Sequence, residues 1–213
     1  MCDICNTIEK SLQGENPFFV KEFETGIVVL GWNQHFYGYT IFMCKKHATE
    51  LYQLEDEFLA KFMEEMVIVS KAVATAFECD KMNYECLGNG DTHLHWHLFP
   101  RVKGDLGEYG NDGKGPVWWL PQGIMWNKDN IPNEIELKKM KAKLLQYNAD
   151  GRMDDSEFIR MTADCDNEIK DIEKKINALN KTSKTEREMK KELAEIKTIL
   201  KAAEKHIDGE EID

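Results

Sequence analysis

Positive charge is scarce in this chain of 213 residues. It carries 28 lysines and arginines against 39 aspartates and glutamates, which gives a formal net charge of −11. A protein that wraps a nucleic-acid backbone needs a basic face, so we expect no nucleic-acid partner. No apolar run approaches the roughly 18 to 20 residues that span a bilayer, and the amino terminus lacks the apolar core of a signal peptide. We therefore expect a cytoplasmic protein without membrane contact.

Cysteine is present, but its pattern does not suggest disulfides. The chain holds six cysteines, an even number, yet it is long and shows no secretory signal, and such chains rarely use a disulfide framework. The two nearest cysteines are Cys2 and Cys5. Their spacing suits two thiolate ligands of one metal ion, so we expect half of a metal site at the amino terminus.

Proline, tryptophan and glycine nearly disappear after residue 132. All five prolines, all five tryptophans and 12 of the 14 glycines lie at or before that position. The remaining stretch is rich in charge and has two apolar seams of helical spacing, over 158–179 and 189–207, joined by a short polar link. The sequence therefore predicts a mixed domain at residues 1–133 and a helical coiled-coil extension at 134–213 that contains a C-terminal α-helical hairpin.

The first part of the chain alternates between strand and helix patterns. Runs rich in β-forming residues occur at 20–32, 39–44 and 92–99. Apolar residues three and four positions apart predict one long amphipathic helix over 49–78. This combination predicts an α+β fold, with a mostly antiparallel sheet and a long helix packed on it. A further helix is expected over about 134–149.

Three of the six histidines of the chain lie within five residues, at His93, His95 and His97. Because side chains alternate along a strand, all three project to one face. Two kinds of chemistry use such a face. Imidazoles are common zinc ligands, and a neutral imidazole near pH 7 is also a nucleophile that can carry a phosphoryl or nucleotidyl group. The histidines alone leave both interpretations open.

The alternation of histidine with apolar residues, followed by Pro100 and Arg101, resembles the signature of the histidine triad (HIT) superfamily. The segment 38–47, which ends in Lys-Lys-His, resembles a second strand motif of that family. The amino-terminal cysteine pair, Asn16-Pro17 and the long helix also occur in the expected order, so that the resemblance covers roughly residues 1–126. It implies a HIT-like α+β fold, which is commonly homodimeric, and an enzyme that hydrolyses or transfers nucleotides at the α-phosphate.

The resemblance also assigns catalytic roles. His95 matches the family nucleophile, which would attack the α-phosphorus and form a nucleotidyl-histidine intermediate that water then cleaves. His97 would donate to the α-phosphate and stabilise the charge that develops there. His93 would orient the set. These three histidines are the predicted catalytic residues.

The resemblance also implies substrate contacts in the sequence before the triad. Asn83 matches a family amide that contacts phosphate, and Asn89 and Gly90 lie in the small-residue loop of the same region. Asn33 stands where relatives often have an acidic residue that binds the ribose hydroxyls. Within the second strand motif, Tyr39 stands where the family usually has histidine, which departs from the pattern.

The cysteine pair needs two further ligands to complete a tetrahedron. Some HIT proteins with this pair use the histidine after Lys-Lys and the first triad histidine, which are His47 and His93 here. The implied cofactor is one structural zinc ion on Cys2, Cys5, His47 and His93. Two free cysteines at the amino terminus are the alternative. A catalytic zinc on all three triad histidines would contradict the role of His95 as nucleophile.

The sequence thus favours a nucleotide hydrolase that acts on dinucleoside polyphosphates or nucleoside phosphoramidates. Nucleotidyltransferases of the wider superfamily typically carry glutamine at the third triad position, so His97 favours hydrolysis over transfer. Another alternative is a nucleotide-binding scaffold or sensor whose helical extension recruits a protein partner. We also expect a homodimer formed through the HIT domain.

Overall fold

The computed structural model describes residues 2–147, together with Asp171 and Lys174. Within that part, five strands form one sheet in the order β1-β2-β3-β5-β4, and all neighbouring strands are antiparallel. The strands are β1 (Phe19–Glu22), β2 (Gly26–Leu30), β3 (Thr40–Cys44), β4 (Lys81–Glu85) and β5 (His95–Arg101). The α-helices are α1 (Asp3–Leu12), α2 (Asp56–Ala76), α3 (Gln122–Met125) and α4 (Glu134–Gln146). The predicted α+β class with its antiparallel sheet is confirmed.

Helix α2 covers one face of the sheet. Its inward residues, Phe62, Met66, Val69 and Val73, are buried in one cluster with residues of β2, β3 and β5. The helix starts at Asp56, later than predicted, because Leu51–Gln53 form a 3₁₀ turn that is closed by reciprocal hydrogen bonds between Glu50 and Gln53. No helix among residues 2–147 is long and apolar enough to cross a membrane.

A buried carboxylate ties α2 to the turn between β1 and β2. Glu65 is 3% exposed and accepts hydrogen bonds from the backbone nitrogens of Glu24 at 3.1 Å and Thr25 at 2.9 Å, and from the Thr25 hydroxyl. These bonds satisfy a charge that would otherwise be costly to bury. They fix the helix against the hairpin.

Helix α1 packs on the opposite face of the sheet. Ile4 and Ile8 are buried against Ile27, Val29 and Met43 of β2 and β3. The helix begins after Cys2, whose sulfur accepts a weak hydrogen bond from the backbone nitrogen of Cys5 at 3.5 Å. This packing holds the amino-terminal cysteines against the sheet.

Helix α4 confirms the helix predicted over about 134–149, although it ends at Gln146. Asn133 and Glu136 form a capping box at its start, an arrangement that satisfies free backbone N–H groups. Its buried residues Leu137, Met140, Leu144 and Leu145 belong to the same cluster as α2 and the sheet. This helix therefore packs with the first part of the chain, while the predicted boundary after residue 133 stays a prediction. The seams over 158–179 and 189–207 lie outside the described residues.

Candidate functional site

The predicted alternation along the histidine strand is confirmed. Leu94 and Leu98 are buried in the cluster beneath α2, and Trp96 packs against that cluster. The histidines therefore occupy the other face of β5 and of the residues that precede it. In the pairing with β3, His95 lies opposite Met43 and His97 opposite Ile41.

His95 is buried, and one of its ring nitrogens is held by the backbone. Its Nδ1 lies 2.6 Å from the carbonyl oxygen of His93. A carbonyl only accepts hydrogen bonds, so Nδ1 carries the proton. In the neutral imidazole Nε2 then bears a free lone pair. This is the protonation pattern that an attacking imidazole requires.

His97 faces this lone pair. The Nε2 atoms of His95 and His97 are 2.9 Å apart, and Nδ1 of His97 lies 2.5 Å from the hydroxyl of Tyr39. Burial, with a smaller contribution from neighbouring His95, lowers the pKa of His97 to about 4. His97 is therefore neutral at pH 7 and carries one ring proton. Because His95 offers only an acceptor, that proton lies on Nε2 of His97.

A cavity of about 480 Å³ opens beside the nucleophile candidate. His95 and Thr92 line it on one side, Gly88 and Cys86 on another, and residues 49–52 complete the wall. The volume lies in the range of small-molecule sites. Asn89 and Gly90, which were predicted to contact phosphate, are exposed in the turn between Gly88 and Thr92. In the sequence they lie between Gly88 and Thr92, which both line the cavity.

Asn83, the other predicted phosphate contact, is oriented by a buried arginine. Nη1 of Arg101 donates to Oδ1 of Asn83 at 2.7 Å. Arg101 also donates twice to the carboxylate of Asp105, at 2.6 and 2.7 Å. Asn83 pairs with Phe99, two positions from the pair of Glu85 and His97, and therefore belongs to the triad face. Its amide oxygen is occupied, so its NH₂ group is the end that suits a phosphate oxygen.

The structure shows hydrogen bonds of Asn33 within the protein, and the predicted ribose contact stays a prediction. Asn33 is 2% exposed. Its Nδ2 donates to the carbonyl of Asn127 at 2.8 Å, and its Oδ1 accepts from the backbone nitrogen of His35 at 3.0 Å. The amide nitrogen therefore ties the loop after β2 to the loop after α3, while the amide oxygen supports the loop after β2 itself. Nothing in the local sequence indicates this distant partner.

The predicted metal ligands meet at the amino terminus. The potential ligand atoms of Cys2, Cys5, His47 and His93 all lie within 4.8 Å of one another. Nδ1 of His93 is 3.5 Å from the sulfur of Cys2, 3.4 Å from that of Cys5 and 3.2 Å from Nδ1 of His47. The sulfur of Cys5 is 3.3 Å from Nδ1 of His47. Residues from α1, from the segment after β3 and from the start of the triad thus converge.

These residues fit a zinc ion. A tetrahedral site with Zn–S bonds of about 2.3 Å and Zn–N bonds of about 2.0–2.1 Å has ligand-to-ligand distances of about 3.3–3.8 Å, close to those observed. Nε2 of His93 lies 2.6 Å from the carbonyl oxygen of Cys44. It therefore donates a proton there and leaves Nδ1 bare to bind metal, as outer partners of metal-bound histidines commonly arrange.

Sequence patterns do not indicate three further features of the site. Arg101 belongs to a recognisable motif, but its pairing with Asp105 depends on a loop conformation. Trp32 and Trp126 stack with ring centroids 5.4 Å apart, and Trp126 lies 6.4 Å from the ring of Tyr39. Loops distant in sequence bring these aromatic rings together, which no local periodicity could predict.

Comparisons with known proteins agree with this geometry. A family model described as the HIT domain matches residues 15–104. The chain is similar in structure to a histidine triad protein from Bradyrhizobium japonicum, with 23% identity, a TM-score of 0.52 and coverage of 61% of this chain and 89% of that one. A HIT protein from Sinorhizobium meliloti 1021 is 20% identical, with a TM-score of 0.51 and coverage of 61% of this chain and 88% of that one. A histidine triad protein from Marinobacter aquaeolei VT8 is 26% identical, with a TM-score of 0.50 and coverage of 61% of this chain and 87% of that one.

A comparison with curated protein sequences finds no match. The range matched by the family model contains all five strands, helix α2 and the three clustered histidines. It also contains His47, whereas the cysteine pair precedes it. This chain therefore contains a histidine triad (HIT) domain at residues 15–104.

Proposed function

We propose that this protein is a nucleotide phosphohydrolase that cleaves at the α-phosphate of dinucleoside polyphosphates or nucleoside phosphoramidates. One observation carries the proposal: Nδ1 of His95 is pinned to the carbonyl oxygen of His93 at 2.6 Å, which leaves Nε2 free to attack phosphorus. The HIT domain supports the same class, because proteins of this family commonly bind nucleotides and many hydrolyse or transfer them.

The ligand-free arrangement keeps the nucleophile covered. Nε2 of His97 donates its proton to the lone pair of His95, over the 2.9 Å that separates the two nitrogens. An α-phosphate oxygen is a better acceptor than a neutral imidazole, because it is charged. When a phosphate binds, the proton of His97 turns to that oxygen and the lone pair of His95 becomes available. Substrate binding thus exposes the nucleophile.

The chemistry then proceeds in two displacements. Nε2 of His95 forms a bond to the α-phosphorus, and the bond from phosphorus to the leaving group breaks. The leaving group takes the electron pair and picks up a proton from solvent. The N–H of His97 stabilises the negative charge on the phosphate oxygens during this step. A water molecule next attacks the phosphorus and loses a proton to solvent, while the bond from phosphorus to Nε2 breaks. The electron pair returns to Nε2, which releases the nucleoside monophosphate and restores His95.

The zinc ion would have a structural role in this scheme. Cys2, Cys5, His47 and His93 would hold it as four protein ligands, and a closed tetrahedral site stabilises a fold. The carbonyl of His93 accepts the proton of His95. Fixing the imidazole of His93 therefore also fixes the backbone that orients the nucleophile.

Histidine at the third triad position supports hydrolysis rather than transfer. His97 presents its N–H toward His95 at the position where nucleotidyltransferases of the wider superfamily typically carry glutamine. An acceptor such as inorganic phosphate or a sugar phosphate would compete with water if the enzyme were a transferase. Adding either acceptor should leave the yield of nucleoside monophosphate unchanged.

The test is a rapid-quench experiment with an adenosine phosphoramidate and a dinucleoside polyphosphate, each labelled at the α-phosphate. The wild-type protein should release labelled monophosphate and pass through an acid-labile adduct on His95. His95→Asn should reduce the rate by roughly three orders of magnitude or more while nucleotide binding persists. His35→Asn, on a loop outside the triad, is the matched control. Equal turnover in His95→Asn would contradict the proposal.

The homodimer predicted from the family also remains a proposal. Strand β4 lies at one edge of the sheet in the described part of the chain. Tyr84, Leu87 and Trp118 are exposed beside it. An edge strand flanked by exposed apolar residues is a suitable pairing surface for a second copy. A protein partner for the C-terminal extension stays a prediction outside the described residues.

A further inference from the structure

We propose that Tyr39 is a positioning residue for the triad. Its hydroxyl donates to Nδ1 of His97 and thereby keeps the proton of His97 on Nε2, where it faces His95 and the α-phosphate. The catalytic consequence of this inference rests on the proposed function. The hydrogen bond itself and its effect on the imidazole do not.

The direction of the hydrogen bond follows from the neighbouring bonds. His95 uses its proton on the carbonyl of His93, so His97 must donate from Nε2 to the bare nitrogen of His95. Nδ1 of His97 then has only a lone pair, and the Tyr39 hydroxyl at 2.5 Å must be the donor. Burial also raises the pKa of Tyr39. The phenol therefore keeps its proton at neutral pH and is able to donate it to His97.

The ring of Tyr39 is held rigidly in place. It is 3% exposed and stacks on Phe99 with ring centroids 4.2 Å apart and planes 6° from parallel. On the other side it lies against Gly31, where an added Cβ would fall 2.1 Å from the ring. The backbone nitrogen of Gly31 donates to the carbonyl of Tyr39 at 2.9 Å. Such fixed support is what precise orientation of a catalytic group requires.

Tyr39 acts on one nitrogen of His97 while the nucleophile acts on the other. In the ligand-free protein both partners favour the same tautomer. Once a nucleotide occupies His95, the nucleophile no longer accepts from His97, and the Tyr39 hydroxyl is the partner that stays. Loss of the hydroxyl would leave Nδ1 without a partner whether it bears a lone pair or a proton, so the preference for a proton on Nε2 would disappear. The proton needed on Nε2 would then be lost from part of the population.

The first test reads the tautomer of His97 directly by ¹⁵N NMR of the imidazole ring. It is made in the His95→Ala background, where no acceptor at position 95 helps to keep the proton of His97 on Nε2. With Tyr39 present, Nε2 should be the protonated nitrogen. With Tyr39→Phe added, the spectrum should show a mixture of the two neutral tautomers. Identical spectra in the two proteins would overturn the proposal, whether or not the wild-type protein hydrolyses nucleotides.

The second test measures turnover in the otherwise wild-type protein. Tyr39→Phe keeps the ring and its stacking on Phe99. It should lower kcat by about 10- to 100-fold with KM changed by less than about twofold, the range for partners that orient a catalytic imidazole. Tyr37→Phe, on the same loop but exposed, is the matched control. An unchanged kcat in Tyr39→Phe would overturn the catalytic part of the proposal.

A second variant keeps the hydroxyl and moves the ring. Gly31→Ala should push Tyr39 away from His97, because the added methyl overlaps the ring. It should reproduce the mixed tautomers and the reduced kcat. If Tyr39→Phe melts far below the wild-type protein, Gly31→Ala is the deciding variant. A displaced Tyr39 ring together with a His97 protonated only on Nε2 would refute the inference. If the wild-type protein shows no turnover, the proposed function fails while the NMR result still decides the role of Tyr39.

Discussion

The carbonyl oxygen of His93 accepts the Nδ1 proton of His95 at 2.6 Å, while the ring of His93 lies in the cysteine–histidine cluster. One residue thus belongs to both the candidate metal site and the support of the candidate nucleophile. The two sites are mechanically connected, although the ring nitrogen that would bind metal is not the group that holds His95. Metal binding should therefore mainly raise the stability of the fold. It should affect turnover only indirectly, through the position of the His93 carbonyl that holds His95.

Removal of the thiolates tests the zinc site. Purified protein should contain about one zinc per chain, and Cys2→Ser/Cys5→Ser should lose it, because two imidazoles alone bind zinc weakly. The variant should melt at a lower temperature, since metal stabilises the folded state that binds it, yet it should keep part of its activity. Metal analysis and thermal melting measure both effects. Cys79→Ser is the control, and a chelator that abolished activity without lowering the melting temperature would indicate a catalytic metal instead.

Acid should destabilise the fold through His97. Its pKa is lowered from an ordinary 6.5 to about 4 in the folded protein, so below 6.5 the unfolded chain binds a proton that the folded protein does not. Stability should therefore fall as the pH drops from 6.5 to about 4, by on the order of 2–3 kcal/mol from this group. Urea unfolding at a series of pH values measures the loss. His97→Gln should show a smaller loss over the same interval, and an equal loss would contradict this assignment.

The ion pair of Arg101 and Asp105 should matter for both stability and binding. The two side chains are only 8% and 10% exposed, and Arg101 also orients Asn83. Asp105→Ala would leave a buried guanidinium without its partner, at a cost of about 3–5 kcal/mol. KM should rise because the amide of Asn83 loses its fixed orientation. Glu55→Gln, which removes the exposed pair with Lys46, should cost less than about 1 kcal/mol and is the control.

Two truncations locate the end of the folded domain. Protein that ends at Tyr147 should be folded, active and dimeric, because every residue assigned to chemistry lies before that point. Protein that ends at Asn133 should lose several kcal/mol, since α4 buries Leu137, Met140, Leu144 and Leu145 in the shared core. Melting curves, activity and light scattering compare the two. Inactive or aggregated protein after truncation at Tyr147 would show that the extension contributes to the site or to the core.

Much of the site could be predicted from local pattern. The period of a strand places His95 and His97 on one face of β5, with His93 just before the strand, and helical spacing identifies the buried face of α2. The resemblance to HIT proteins identified Cys2, Cys5, His47 and His93 as one set of metal ligands. The shared face of the histidines follows from backbone periodicity, and the proximity of the four ligand residues follows from a ligand set common to the family. Both can be recognised from the local sequence.

Tertiary structure decided the features that depend on contacts between distant segments. Only packing brings the Tyr39 hydroxyl to His97, ties Asn33 to the loop at Asn127 and joins Asn83 to Arg101. It also places α4 in the core. A hydrogen bond depends on a donor–acceptor distance that must be right to a few tenths of an ångström, between segments that meet only when the chain folds. Periodicity, by contrast, is fixed by the geometry of one strand or helix. The sequence alone therefore determined which residues share a face, and the fold decided which atoms of those residues are free to react.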